Sequence, residues 1–124
     1  MVKREIRDAL YPNCPIRNVI SRFGDKWSML VLFILHKYGV LRFKDLRRNI
    51  PDVSQKMLAE TLKRLEADGL VIRKAYPEIP PKVEYNLTAR ADTLIPLLSS
   101  LFHWAIDNME DIIKDRMNYL EKIK

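Results

Sequence analysis

Apolar residues recur at helical spacing along most of this chain, and the places where that period fails mark its joints. Ile6 and Leu10 lie four apart, which predicts a short amphipathic helix over residues 3–10, broken at Pro12. Pro15 suits the first position of a second helix, where its missing N–H costs nothing. Ile16, Val19, Ile20 and Phe23 form that helix's stripe, and Gly24 is placed to end it. Asp25 is a natural cap for the next stretch, "KWSMLVLFILHKYG". There Trp27, Leu30, Val31, Ile34 and Leu35 share one face, but Met29, Leu32 and Phe33 are apolar too. A helix apolar nearly all round is covered on several sides, so this one is expected at the centre of the domain.

"RFKDLRRNI" follows, with Phe43, Leu46 and Ile50 on one face and Arg42, Lys44, Arg47 and Arg48 projecting elsewhere. Pro51 and Asp52 break the chain. Ser54 then caps "SQKMLAETLKRLEADGL", in which Leu58, Leu62 and Leu65 recur at helical spacing and Gly69 is the stop. Two short helices joined by a turn of about four residues make a helix-turn-helix. After Gly69 the period becomes that of a strand. Val71 and Ile72 are β-branched, "PEIPP" is a loop, and "KVEYNL" alternates polar and apolar. Helix, turn, helix and hairpin follow in the order of a winged helix-turn-helix. The expected fold class is therefore mainly α with a small β-hairpin.

Thr88 can cap the last helical stretch. Leu94, Leu98, Leu101 and Ala105 form one stripe there, and Phe102, Ile106, Met109, Ile113, Met117 and Leu120 form a second. One stripe suffices to pack on the protein's own domain. The second needs a partner, most simply the same helix of another subunit. Pro96 is expected to kink the helix. The expectation is a single domain over residues 1–124: helix-turn-helix at about 42–68, wing at about 70–87, and C-terminal dimerisation helices at about 88–122. The homodimer interface is assigned to Ile6, Leu10, Phe102, Ile106, Met109, Ile113 and Met117.

Composition sharpens the picture. The chain has 124 residues, 48% hydrophobic and 31% charged, which is globular rather than disordered. Formal net charge is +6, which favours a polyanionic partner. Residues 1–41 carry +4, residues 42–82 carry +4, and residues 83–124 carry −2. The excess thus sits in the part that holds the helix-turn-helix and wing. A single cysteine, Cys14, forms no intrachain disulfide and lends secretion no support. The N-terminus has no apolar signal core, and the longest apolar run, "MLVLFIL", is far short of a membrane span. A soluble cytoplasmic protein without membrane contact is expected.

A helix in the major groove of double-stranded DNA needs donors near its N-terminus and a rigid seat. On the helix of residues 54–68 the leucines point inward, Lys56, Glu60, Lys63 and Arg64 lie on the far side, and Gln55 and Thr61 flank them. Ser54, Gln55 and Lys56 occupy the end that enters a groove. Arg73, Lys74 and Lys82 flank the hairpin loop and are candidates for phosphate or minor-groove contacts, with Glu78 opposing them at the tip. Arg42 and Arg47 are candidates for the backbone, as is Arg48. The plain reading of the helix is a solvated face. The arginines before it and the basic hairpin after it shift the balance to DNA.

Cys14 directly precedes a proline-started helix, with Arg17 one turn on. Both features favour the thiolate and suit a sensor of oxidants or electrophiles. The plain alternative is a small apolar residue at a helix start. His36 and His103 have no ligand partner at metal spacing, and Trp27 and Trp104 read as packing residues. No phosphate loop and no nucleophile motif is present. The expectation is a regulator without catalytic activity, cofactor or metal. Its rivals are a winged-helix protein-interaction module without specific DNA binding and, ranked last, a redox protein centred on Cys14.

"CP", "GDKW" with the apolar helix after it, "RFKDLRRNIPDVSQKMLAETLKRLEADGLV" and "YPEIPPKVEYNLT" together resemble the HxlR-type family of bacterial winged-helix transcription regulators, relatives of the MarR group. The resemblance covers about residues 14–106, and "PEIPPKVEYNLT" is its most specific part. It implies a homodimer held by N- and C-terminal helices on a palindromic promoter site. It places the recognition helix on Ser54 to Asp68 and the wing on Leu70 to Leu87. It also implies, in several members, a sensing cysteine matching Cys14. Where many members have a glycine after Thr88, this chain has Ala91, which stiffens the helix start.

Overall fold

The computed structural model describes residues 14–123. The expected helix over residues 3–10, with Ile6 and Leu10, lies outside them. The elements are α1 (Pro15–Phe23), α2 (Lys26–Tyr38), α3 (Phe43–Asn49), α4 (Gln55–Ala67), β1 (Val71–Tyr76), β2 (Lys82–Leu87) and α5 (Ala89–Lys122). The chain divides into two compact units, with the boundary between Asp92 and Thr93.

In the first unit α2 is the hub, packing against α3, α4 and β2. Its start is fixed by Asp25, whose Oδ1 accepts from the amides of Trp27 at 3.0 Å and Ser28 at 2.9 Å. Its Val31, Leu32 and Leu35 are buried, as are Leu46, Ile50 and Val53 around the turn and Leu58, Leu62 and Leu65 of α4. These residues are the core, and they are the apolar positions whose spacing defined the helices.

Two caps bound α4. Ser54 Oγ accepts from the Met57 amide at 3.0 Å. At the other end Gly69 takes φ +74°, a backbone region open to glycine. The amides of Gly69 and Leu70 donate back to the carbonyls of Glu66 and Leu65 at 3.0 and 2.9 Å. Buried Leu65 and Leu70 flank this turn, which is a Schellman stop. The hairpin that follows is antiparallel, running from Val71↔Leu87 to Tyr76↔Lys82. Leu41 joins it through a single bridge, exchanging hydrogen bonds with Tyr85 at 3.0 and 2.8 Å. The base of the hairpin is closed by Thr88, whose hydroxyl donates to the Gly69 carbonyl at 2.6 Å and accepts from the Ala91 amide at 3.1 Å. Ala91 is fully buried.

Helix α1 departs from expectation. Ile16, Val19 and Ile20 of its stripe are exposed, and its buried residue is Asn18. In the second unit α5 runs without interruption through Pro96 to Lys122. Of the first predicted stripe there, Leu98 is buried, Leu94 and Ala105 are half-buried, and Leu101 is 52% exposed. The buried set on α5 is instead Ala91, Ile95 and Leu98. The stripe is thus shifted, because Ile95, not Leu101, completes the repeat. The second stripe, Phe102, Ile106, Met109, Ile113, Met117 and Leu120, is exposed throughout. Trp104, expected to pack, is exposed as well. Among the described residues no helix is long and apolar enough to cross a membrane.

Candidate nucleic-acid interface

The leucine face of α4 is seated in the core, so its opposite face is presented outward. Gln55, Lys56, Glu60 and Lys63 are exposed along it, with Ser54 exposed at the start. Ser54 spends its oxygen on the cap of the helix. Arg42 and Arg47 are exposed on the approach through α3, while Arg48 pairs with Asp45 at 3.8 Å.

Two of the expected DNA-contact residues are turned to other tasks. Thr61 is completely buried, and its hydroxyl donates to the Met57 carbonyl at 2.8 Å. One position on the wheel separates a flank from the core face, and Thr61 falls on the core side. Arg64 is exposed in part, but its guanidinium turns back to Asp25 at 3.8 Å and to the Thr61 hydroxyl at 3.4 Å. It ties α4 to the start of α2.

The hairpin register sorts the wing cations onto two faces. Arg73 stands opposite Tyr85, and Lys74 opposite Glu84. Side chains alternate along a strand, so these pairs point to opposite sides of the sheet. On one side Arg73 and Tyr85 line a cavity of about 400 Å³ with Ala59, Leu62, Lys63 and Glu66 of α4. On the other, Lys74 and Lys82 lie over the Tyr76 ring at 5.1 and 4.9 Å, and Lys82 pairs with Glu84 at 3.1 Å. Among the described residues, Arg47, Lys56, Lys63 and Arg73 have no carboxylate at ion-pairing distance. These cations remain available to an outside anion.

Sequence reasoning missed the ties that hold α4. Arg22 Nη1 donates to Asp68 Oδ1 at 2.6 Å, and Arg90 Nη1 donates to the Asp68 carbonyl at 3.0 Å. The Arg22–Asp68 partners are 46 residues apart, so no local period signals them. Tyr76 was missed too, although an aromatic residue between lysines was a readable hint.

Cys14 is a free, half-buried cysteine at the N-cap of α1. Its carbonyl accepts from the Asn18 amide at 3.2 Å and from Asn18 Nδ2 at 3.3 Å. His36 is exposed, and His103 Nδ1 is 2.7 Å from the Ser99 carbonyl. Among the described residues no three His, Cys, Asp or Glu side chains are grouped to hold a metal.

The family model described as HxlR-like helix-turn-helix matches residues 22–113. The chain belongs to the HxlR-like helix-turn-helix family. An HTH-type transcriptional regulator of Halalkalibacterium halodurans is 45% identical over 97 residues, 78% of this chain and 86% of that protein. Among solved structures, the redox regulator HypR in its reduced form matches with a TM-score of 0.76 and 35% identity, over 82% of this chain and 99% of that one. The reduced form of the transcriptional regulator YodB from B. subtilis matches with a TM-score of 0.69 and 38% identity, over 79% and 96%. This HxlR-type chain is thus a winged helix-turn-helix transcriptional regulator.

The Asp25 cap of this regulator carries a pH dependence. Burial works to raise the proton affinity of its carboxyl. Hydrogen bonds from the Ser28 hydroxyl and the Ser28 and Trp27 amides, with Arg64 alongside, outweigh it and hold the carboxyl below its ordinary value. A lowered folded-state value stabilises the fold above the unfolded value of about 3.9, and that stabilisation is lost as pH falls through the folded value. Asp25→Asn keeps a capping oxygen without the charge. Its deficit in thermal midpoint against the wild type is expected to be constant near neutrality and to shrink below about pH 4. A deficit that grows in acid contradicts the assignment.

Proposed function

We propose that this regulator binds a palindromic promoter site as a homodimer, each subunit laying α4 into a major groove and its wing along the flanking backbone. The observation that carries the reading is the outward face of α4, with Gln55, Lys56 and Lys63 on a helix whose other face is locked in the core. Gln55 suits adenine and Lys56 suits guanine or a phosphate. Lys63 and Arg73, on the two walls of the α4–wing cavity, suit the phosphates between the grooves. Arg42 and Arg47 approach the backbone from α3, and Lys74 and Lys82 from the wing's other side. Thr61, buried, has no part in the contact, while Arg64, beside Asp25 and still part-exposed, lies at its edge. The protein works in the cytoplasm, where its DNA is.

Fluorescence anisotropy against the DNA upstream of its own gene tests this, with scrambled DNA as control. Affinity is expected to fall steeply with salt as counterions are released. Lys56→Ala is expected to cost roughly 1–3 kcal/mol, and Arg73→Ala to lower the salt slope by about 1. Affinity equal for both DNAs at physiological salt would sink the specific-regulator reading. Salt-insensitive binding untouched by either variant would favour the protein-interaction module.

The dimer rests on uncovered apolar surface. Phe102, Ile106, Met109, Ile113 and Met117 on α5 are exposed in the single chain, as are Ile16, Val19 and Ile20 on α1. Patches of this extent mark an interaction site, and a second copy supplies matching ones. Light scattering at micromolar concentration is expected to give twice the 14.7 kDa chain mass. A mass of one chain refutes the dimer.

Cys14 is the proposed effector site, sensing oxidants or electrophiles. Its place at the N-cap of α1 and the likeness to HypR, described as a redox regulator, support this. Its thiol adds across an electrophilic double bond, sulfur forming the new C–S bond and the proton passing to the adjoining carbon, to give a thioether. With one cysteine per chain, any disulfide joins two subunits or takes up a small thiol. A mild electrophile is expected to release wild-type protein from DNA but not Cys14→Ser. Equal release of both removes Cys14 from the role.

A further inference from the structure

Helix α1 is seated in an unusual way. Its apolar residues Ile16, Val19 and Ile20 face solvent and its buried residue is polar, so apolar packing is a small part of what holds it. Charge fastens its end. Arg22 meets Asp68 at 2.6 Å, with side chains 30% and 22% exposed. Asp68 is the C-cap of α4, where the helix dipole opposes a carboxylate. Arg22 supplies the compensating charge, and Arg90 takes the adjoining carbonyl. Three residues after Arg22, Asp25 faces Arg64 at 3.8 Å. The α1–α2 junction therefore grips α4 at two points one turn apart, with the signs reversed between them. The core sets the roll of α4. These two points tie its C-terminal half to the α1–α2 junction.

We propose that Arg22 and Asp68 are positioning residues for DNA recognition. They couple α1, whose exposed apolar face a second copy covers, to the core-seated α4, and so set which half-site spacing the dimer accepts. The inference rests on the dimeric DNA-binding reading above. Neither side chain reaches DNA in this account, since both sit at the end of α4 away from Gln55 and Lys56. The pair acts by making the recognition helix rigid with respect to the surface that joins the subunits.

The test uses an operator selected from random DNA with the wild-type protein, and two derivatives with one base pair inserted or removed between the half-sites. The readout is the ratio of affinities for the selected and altered spacings. A general loss of positive charge weakens all three duplexes alike and cancels in that ratio. Arg22→Ala and Asp68→Ala are each expected to shrink the ratio by up to about fivefold, the range an ion pair of partial exposure supports. The exchanged pair Arg22→Asp with Asp68→Arg is expected to recover part of it, more than either exchange alone. Thermal melting establishes that each variant is folded, and Arg22→Gln replaces Arg22→Ala should the latter not fold. Folded variants that keep the wild-type ratio overturn the inference alone. A wild-type protein that selects no operator overturns the reading beneath it, and the inference falls with it.

Discussion

The burial of α4's leucines against α2 is the constraint on which the rest depends. Leu58, Leu62 and Leu65 leave α4 only one way to lie once Val31, Leu32 and Leu35 occupy the other side of the seam. Helix propensity alone would not hold a helix of 13 residues in water. Packing does, and packing also selects which side chains are left outside. Thr61 shows how tightly this is drawn. Its hydroxyl is buried without the usual penalty because the Met57 carbonyl, one turn back, receives it.

The wing inherits its placement from the same seam. The Schellman turn at Gly69 stops α4 and reverses the chain, and Thr88 closes the base by holding the Gly69 carbonyl. The base is further tied by the Leu41 bridge to Tyr85. Pro77, Glu78, Ile79, Pro80 and Pro81 at the tip are exposed. A hairpin fixed at one end and open at the other can follow a groove while its root stays in register with the helix. Register then separates the cations: Arg73 lies on the α4 side and Lys74 on the Tyr76 side, so one short hairpin presents positive charge on two faces.

What the sequence disclosed and what it withheld divide on physical lines. The helices, their caps and the hairpin follow from period, capping residues and glycine, all of which act within a few residues. The centrality of α2 was readable because Met29, Leu32 and Phe33 leave it no polar side. Thr61 was misplaced because one step on the wheel decides flank or core, and a β-branched hydroxyl fits both. Leu101 fits the helical period yet Ile95 is the core residue, because α5 is apolar on several sides and its sequence offers more stripes than the fold buries. The Arg22–Asp68 and Asp25–Arg64 ties carry no local signal, since their partners meet only after the chain has folded. Arg64, expected at DNA, consequently turns part of its charge to Asp25, which no local period announced. The cations that face outward without such ties, Lys56, Lys63 and Arg73, were legible in kind though not in arrangement.

The charge distribution adds a last step. Residues 1–82 carry the whole basic excess, while residues 83–124 carry −2 and, among the described residues, most of the exposed large apolar side chains. A polyanion attracts the first part and is repelled by the second. The acidic stretch of α5 therefore gains nothing from DNA, and its exposed apolar residues suit a cover that is not a polyanion. Exposed carboxylates on a matching helix cost little at physiological salt, because screening weakens repulsion beyond about 8 Å. In the proposed dimer, burial of Phe102, Ile106, Met109 and Ile113 against apolar neighbours offsets that cost. Each exposed Leu, Ile, Phe or Met side chain returns roughly 1.5–3 kcal/mol when fully covered. A chain divided in this way has one surface built for nucleic acid and another that excludes it.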